Sequence, residues 1–231
     1  MKKNNYNGSR SDSALSILDF DAIGEEHLTS TSENPTTDKL FELSDAEKKD
    51  RIADLFTEIM ETLGMDLNDD SLKGTPQRVA KMYVEEIFSG LNPKNMPKMT
   101  LFDNPYKYQE MLIEKNIRFF SNCEHHFVPF FGHAHVSYIS SGKVIGLSKL
   151  NRLVQHFAKR PQVQERLTNQ IGQALMEILD TDSVAIAIEA KHLCVASRGV
   201  QDDSSSTLTF FYSGAFENME QKKLFHQQID H

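Results

Sequence analysis

Apolar and polar positions divide the chain into a polar start, two helical stretches, and two blocks in which strand-like and helix-like patterns alternate. Through about residue 40, Ser, Thr, Asn, Asp and Glu dominate, relieved only by Leu15, Ile17, Leu18 and Phe20. So short an apolar patch cannot offset the entropy of ordering the segment, which reads as a tail, either without a role or serving a partner or regulator. Beyond it, Ile52, Leu55, Phe56, Ile59, Met60 and Leu63 recur at helical spacing behind a Ser44–Glu47 capping box, with Gly64 as the stop. Thr75 is placed as the cap of a second helix, with Pro76 at its first position and Gly90 ending it. Asn92, Pro93 and Pro97 then mark a loop.

From about residue 111 the period shortens. LIEKNIRFF, FVPFFGHAHVSYI and KVIGL are rich in β-branched and aromatic residues, and Ser141-Gly142 supplies a hairpin turn. Ser148 is placed as the cap of a third helix carrying Leu150, Leu153, Val154 and Phe157. After Arg160-Pro161 a fourth helix carries Val163, Leu167, Ile171, Leu175 and Ile178. Residues 183–190 and 207–212 read as two more strands before a short terminal helix, and no internal repeat is present. This order predicts an α+β fold, an antiparallel sheet with helices packed on one face, preceded by N-terminal helices. Residues 1–40 would be the tail, 41–98 the N-terminal helical region, and 99–231 the catalytic α+β domain.

Composition narrows the function. The formal charge of −8 argues against general nucleic-acid binding, so basic residues act locally. No run of eighteen apolar residues exists to cross a membrane, and the first fifteen residues lack a signal-like apolar core, so a cytoplasmic protein is expected. The two cysteines, Cys123 and Cys194, are too sparse for a disulfide framework and point to metal binding or reactivity.

Cys123-Glu124-His125-His126 gathers zinc-type ligands in four positions. Cys123 and His126 reach one ion only if the chain bends there, just before a strand at Phe127. On an extended chain His192 and Cys194 would face one cavity together. Two thiolates and one imidazole leave room for water, whose pKa a metal lowers. A closed site with His125 or His192 as fourth ligand, and a thiol pair without metal, stay open on spacing alone. Lys149 and Arg152, read as first-turn residues of the third helix, oppose its dipole unless an anion binds. Arg78 repeats the anomaly, and Arg198 follows Cys194 by four residues. Gln164-Glu165 opens the fourth helix; Glu165 is either an ordinary N-terminal acid or a carboxylate that grips a guanine edge.

GTPQRVAKMYVEEIFSGL, NCEHHFVPFFGHAHVSYI, VIGLSKLNRLVQHFAKRPQVQERLT and HLCVASRGV resemble the GTP cyclohydrolase I family over roughly residues 42–217. The resemblance implies hydrolysis of GTP to 7,8-dihydroneopterin triphosphate and formate, the entry to tetrahydrofolate and other pterins. It implies Zn2+ on Cys123, His126 and Cys194, with proton transfer at His125 and His192 and a later role for Ser148. Glu165 and Gln164 would take the guanine, and Arg78, Lys149, Arg152 and Arg198 the triphosphate. It also implies the tunnelling fold and a homo-oligomer, a decamer with active sites between subunits. The aromatic run Phe210-Phe211-Tyr212 departs from the small or hydroxyl residues expected there, which bears on local packing or a subunit contact.

Overall fold

The computed structural model describes residues 31–229, so residues 1–30 of the expected tail lie outside the described residues. Ser44 and Glu47 close a reciprocal capping box that starts α1 (Asp45–Thr62), and Gly64 follows it in a left-handed conformation, φ 78°. In α2 (Thr75–Lys81) the cap is Gly74, not Thr75, whose hydroxyl instead accepts a bond from Arg78 Nη2. The helix widens into a π turn over Met82–Ile87 and a 3-10 turn over Ser89–Leu91. Gly90 therefore does not end it at a free boundary. Its N–H donates to Lys159 O at 2.8 Å, and a Cβ there would lie 2.1 Å from His156 O.

Five strands form the main sheet: β2 (Met111–Cys123), β3 (Pro129–Ile139), β5 (Pro161–Gln162), β6 (Val184–His192) and β7 (Thr207–Tyr212). Their order is β5-β2-β3-β6-β7, antiparallel except for the short β5, which runs parallel to β2. The hairpin expected around Ser141-Gly142 does not form. The chain turns there into β4 (Lys143–Ile145), which pairs with β1 (Leu101–Asp103) in a separate two-stranded ribbon. Helices α3 (Leu147–Ala158) and α4 (Gln164–Leu179) complete this layer, and a short turn, α5 (Leu193–Ala196), follows β6. Gly146 caps α3, so Ser148 is its second residue and caps nothing; Arg152 lies beyond the first turn.

The sheet is covered unequally. On one face Val184, Ile186 and Ile188 of β6 join Leu150, Leu153, Leu167, Ile171 and Leu175 of α3 and α4 in the main core. Ala185 and Ala187 point the other way, against Phe216 and Phe225, where a C-terminal helix α6 (Met219–Ile229) packs. Helices thus lie on both faces, a departure from the one-sided arrangement. The near-continuous apolar run of β6 reflects this double burial, because a strand wet on one side would alternate. The aromatic run in β7 has the same cause. Phe211 lies against Gly172 of α4, where a Cβ would come within 2.3 Å of its ring. Phe210 and Tyr212 stack beneath α6, and the Tyr212 hydroxyl is 2.7 Å from His226 Nε2.

Two outcomes follow from this packing. Gly172→Ala forces the Phe211 ring aside and is expected to cost about 1–3 kcal/mol, read as a lower urea midpoint; an unchanged midpoint would show that the ring yields freely. His156 is 6% exposed, and burial, then the Arg160 charge, lowers its pKa from 6.5 to about 4. The folded state thus resists a proton that the unfolded chain accepts, so this contribution is complete above pH 6.5 and drains away towards pH 4. Melting temperatures across that window are expected to fall less steeply in His156→Gln than in the parent chain.

Candidate metal centre

β2 ends at Cys123 and the chain reverses before β3 begins at Pro129, two residues later than the strand start expected at Phe127. The reversal is tight: Phe127 N–H donates to Cys123 O at 2.8 Å, Cys123 N–H to Val128 O at 2.9 Å, and Phe127 takes φ 56°. Glu124 N–H donates to Gln162 O at 3.0 Å, which stitches the reversal to β5. From the other side, β6 stops at His192 and the α5 turn presents Cys194. The extended HLC segment expected from spacing is therefore bent, and His192 and Cys194 take different duties.

Cys123 Sγ, a His126 ring nitrogen and Cys194 Sγ all lie within 4.8 Å of one another. Donor atoms around one tetrahedral zinc stand about 3.5–4 Å apart, so small side-chain movements would close the three on an ion. The chemistry fits as well as the spacing. Arg198 Nη1 lies 2.8 Å from His126 Nε2, and because arginine only donates, that nitrogen's lone pair accepts from Arg198, which must withdraw if the same nitrogen is to hold an ion. Burial first, then the facing Cys123 sulfur, pushes the Cys194 thiol up to about 11, while Arg198 works the other way. A divalent cation between the two sulfurs reverses that penalty.

His192 sits beside this cluster, stacked on Phe130 with centroids 4.7 Å apart and planes 4° from parallel. Its Nε2 is 2.8 Å from Gln164 Oε1. The Gln164 amide cannot flip, because its nitrogen faces the carbonyls of Ile188 and Thr207, which only accept, with Thr209 Oγ1 also within reach of its two hydrogens. The oxygen therefore faces His192, which carries its hydrogen on Nε2 and leaves Nδ1 open. Burial lowers the His192 pKa, and the nearby carboxylate of Glu165, exposed in the first turn of α4, opposes that shift. Gln164 is itself 2% exposed, so its side chain orients His192 and is closed to solvent. His125 Nδ1 lies 3.6 Å from Cys123 Sγ.

Not every candidate converges. Asn151 bonds to Glu114 and Gln155 to Arg118 O, so α3 runs alongside β2 in the same direction. Ser148 and Lys149 therefore sit at the start of β2, separated from Cys123 by about 30 Å of strand. Arg152 lines a cleft with Gln155, Lys159 and Glu85. Arg78 bonds within its own segment, to Ser71 O and Thr75 Oγ1.

Two residues of the centre escape sequence reasoning. Arg166, 3% exposed, clasps both carboxylate oxygens of Glu124, Nη1 to Oε2 and Nη2 to Oε1 at 3.1 Å. In the sequence Glu124 stands only within the run of zinc-type ligands, with no partner assigned. The available signal was Arg166 and Gln170, polar residues one turn apart beside the apolar Leu167 and Ile171 of α4.

An α+β sheet whose end carries two sulfurs and an imidazole defines a class of protein that could hold a metal ion there. Comparison with known proteins narrows the class. The sequence profile described as GTP cyclohydrolase I matches residues 52–230. GTP cyclohydrolase 1 of Flavobacterium johnsoniae is 57% identical over 206 residues, 89% of this chain and 92% of that protein. The Aeromonas salmonicida and Vibrio cholerae proteins of the same name are 55% and 54% identical over 175 and 173 residues. Those two alignments span 76% and 75% of this chain and 80% of each relative. The chain belongs to the GTP cyclohydrolase I family and is a hydrolase.

Glu124→Gln removes the charge that balances a buried guanidinium. It is expected to cost about 3 kcal/mol or more in a urea titration. A loss below about 0.5 kcal/mol, the range of ordinary surface substitutions, would mean that the pair does not anchor the reversal.

Proposed function

We propose that this chain is a zinc-dependent GTP cyclohydrolase I. It opens the imidazole ring of GTP by hydrolysis and yields 7,8-dihydroneopterin triphosphate and formate, the first step of tetrahydrofolate and pterin biosynthesis. The observation that carries the reading is the convergence of Cys123, His126 and Cys194, from separated segments, beside the oriented imidazole of His192. Bound to those three residues, zinc supplies Lewis acidity and lowers the pKa of water at its remaining position.

The side chains do the rest. Glu165 accepts two N–H bonds from the guanine edge and holds the carbon between the two imidazole nitrogens towards the cluster. His192 keeps its Nε2 hydrogen on Gln164 and delivers a second proton from Nδ1 to a ring nitrogen as the C–N bond breaks. Gln164 thus contributes through His192. His125, next to Cys123, is the second imidazole available for proton transfer when water adds again and formate leaves. Arg198, beside His126, is a cation of this chain near enough to the cluster to meet the triphosphate.

Ser148, Lys149, Arg152 and Arg78 enter as residues of neighbouring subunits. The separation along β2 supports this, because one chain cannot bring its own Lys149 to its own Cys123. Leu55, Ile59 and Leu63 leave an apolar stripe on α1, 42%, 51% and 73% exposed, of the kind that partners cover. A homodecamer of the tunnelling fold with sites between subunits accommodates both features. A cytoplasmic location suits a site whose thiols must stay reduced; among the described residues no helix is long and apolar enough to cross a membrane.

Incubation with GTP and zinc is expected to release formate and give a fluorescent pterin after oxidation. Chelation should stop both and zinc restore them; zinc-loaded protein that produces neither would overturn the reading. Cys194→Ser is expected to lose zinc and turnover together, as metal analysis beside the formate assay would record. Glu165→Ala should lower kcat/KM for GTP by about a hundredfold, the loss of a bidentate charged contact, without lowering the melting temperature.

A further inference from the structure

We infer that residues 31–34 are a strap that positions the metal-ligand reversal at Cys123–Phe127, so that the candidate centre depends on chain ahead of residue 52, where the profile match begins. The inference rests on reading Cys123 and His126 as metal ligands. Its basis is a set of hydrogen bonds that lead, one after another, from the strap to that reversal.

Arg166 has three kinds of N–H to satisfy in a position 3% exposed. Two go to Glu124, and the third, Nε, donates to Thr31 O at 2.8 Å. Without the strap that buried donor is orphaned, and water must enter beside the ion pair to satisfy it. Gln170 donates to Ser32 O at 3.1 Å and to Asn34 Oδ1 at 3.3 Å. Its own oxygen accepts from Gln162 Nε2 at 2.9 Å, and Gln162 O is the acceptor for Glu124 N–H. Asn34 completes the attachment. Its Nδ2 donates to Pro161 O at 2.7 Å, and its Oδ1 accepts from Arg160 Nη1 at 3.2 Å. Pro161 and Gln162 are the two residues of β5 that pair with Asn122 and Cys123.

The strap therefore reaches the reversal by two routes. One passes through Arg166 to the Glu124 side chain, the other through Gln170 and β5 to the Glu124 backbone. Both act on the residue between the ligands Cys123 and His126. Asn34 is the side chain on which the attachment depends, since Thr31 and Ser32 contribute backbone carbonyls that substitution leaves in place. A chain segment merely resting on the surface would not place three polar contacts on residues as buried as Arg166 and Gln170, 3% and 4% exposed.

The test is amide hydrogen exchange in the full-length chain, stripped of zinc, comparing the parent with Asn34→Ala and with Asn34→Asp, which keeps Oδ1 and loses the donor to Pro161. Asn34→Ala is expected to speed exchange at Cys123, Glu124 and Phe127 by about tenfold, the effect of losing one net hydrogen bond, and Asn34→Asp by less. Amides of β6 should be unchanged, and zinc should leave the reloaded variant faster when a chelating dye competes for it. Exchange at the reversal equal to the parent's would overturn the inference. So would a uniform rise across the sheet, the mark of general destabilisation. Because the readout needs neither metal nor GTP, a failure of turnover and a failure of the strap are separable results.

Discussion

The bidentate pair between Arg166 and Glu124 ties α4 to the chain reversal that follows β2. A guanidinium 3% exposed cannot be left without an opposite charge, because desolvating it alone costs several kcal/mol. Glu124 must therefore stay where it is, and Cys123 and His126 are fixed on either side of it. The pair joins α4 to the end of β2, beside the Gln162–Gln170 and Glu124–Gln162 bonds that tie both to β5. In the proposed metal site the geometry of Cys123 and His126 is thereby set before the ion arrives, a form of preorganisation that lowers the ordering cost of binding.

The same economy of contacts orients His192. An imidazole can hold its hydrogen on either nitrogen, and a catalytic role requires one choice. Here the choice passes back through Gln164 to the backbone carbonyls of β6 and β7 and the hydroxyl of Thr209. Those carbonyls accept and cannot donate, so the amide has a single orientation and the imidazole a single tautomer. Stacking on Phe130 then restrains the ring plane. The sheet acts as a hydrogen-bonded reference frame for a side chain whose pKa burial lowers.

Size and direction keep the start of α3 away from the sulfur cluster within one chain. Helix α3 lies along β2 with its N-terminus at the strand's start, so its basic first turns face away from the sulfur cluster. No side-chain movement spans the intervening strand. A cationic helix start without an anion, and an apolar stripe on α1 without a cover, are both unfavourable in a lone chain, and the proposed assembly would resolve both.

Much of this was legible in the residues. The capping box of α1, the apolar stripes of α3 and α4, and the strand-like runs of β2, β3, β6 and β7 depend on near-neighbour spacing, which sequence displays directly. The Cys-x-x-His grouping required a bend, and the bend is there. Capping by Gly74 and Gly146 in place of Thr75 and Ser148 escaped, because a glycine cap has no side chain to announce it. The pairing of β4 with β1 and the placement of α6 on the second face depend on contacts between distant segments. So do the burial of Gln164 and the Glu124–Arg166 pair: a polar residue's identity says what bonds it can form, whereas only the packed chain decides which partner water is excluded from. The donor atoms were thus set by the sequence itself, and their orientation, tautomer and company were decided by the tertiary structure, since those depend on burial that no local pattern encodes.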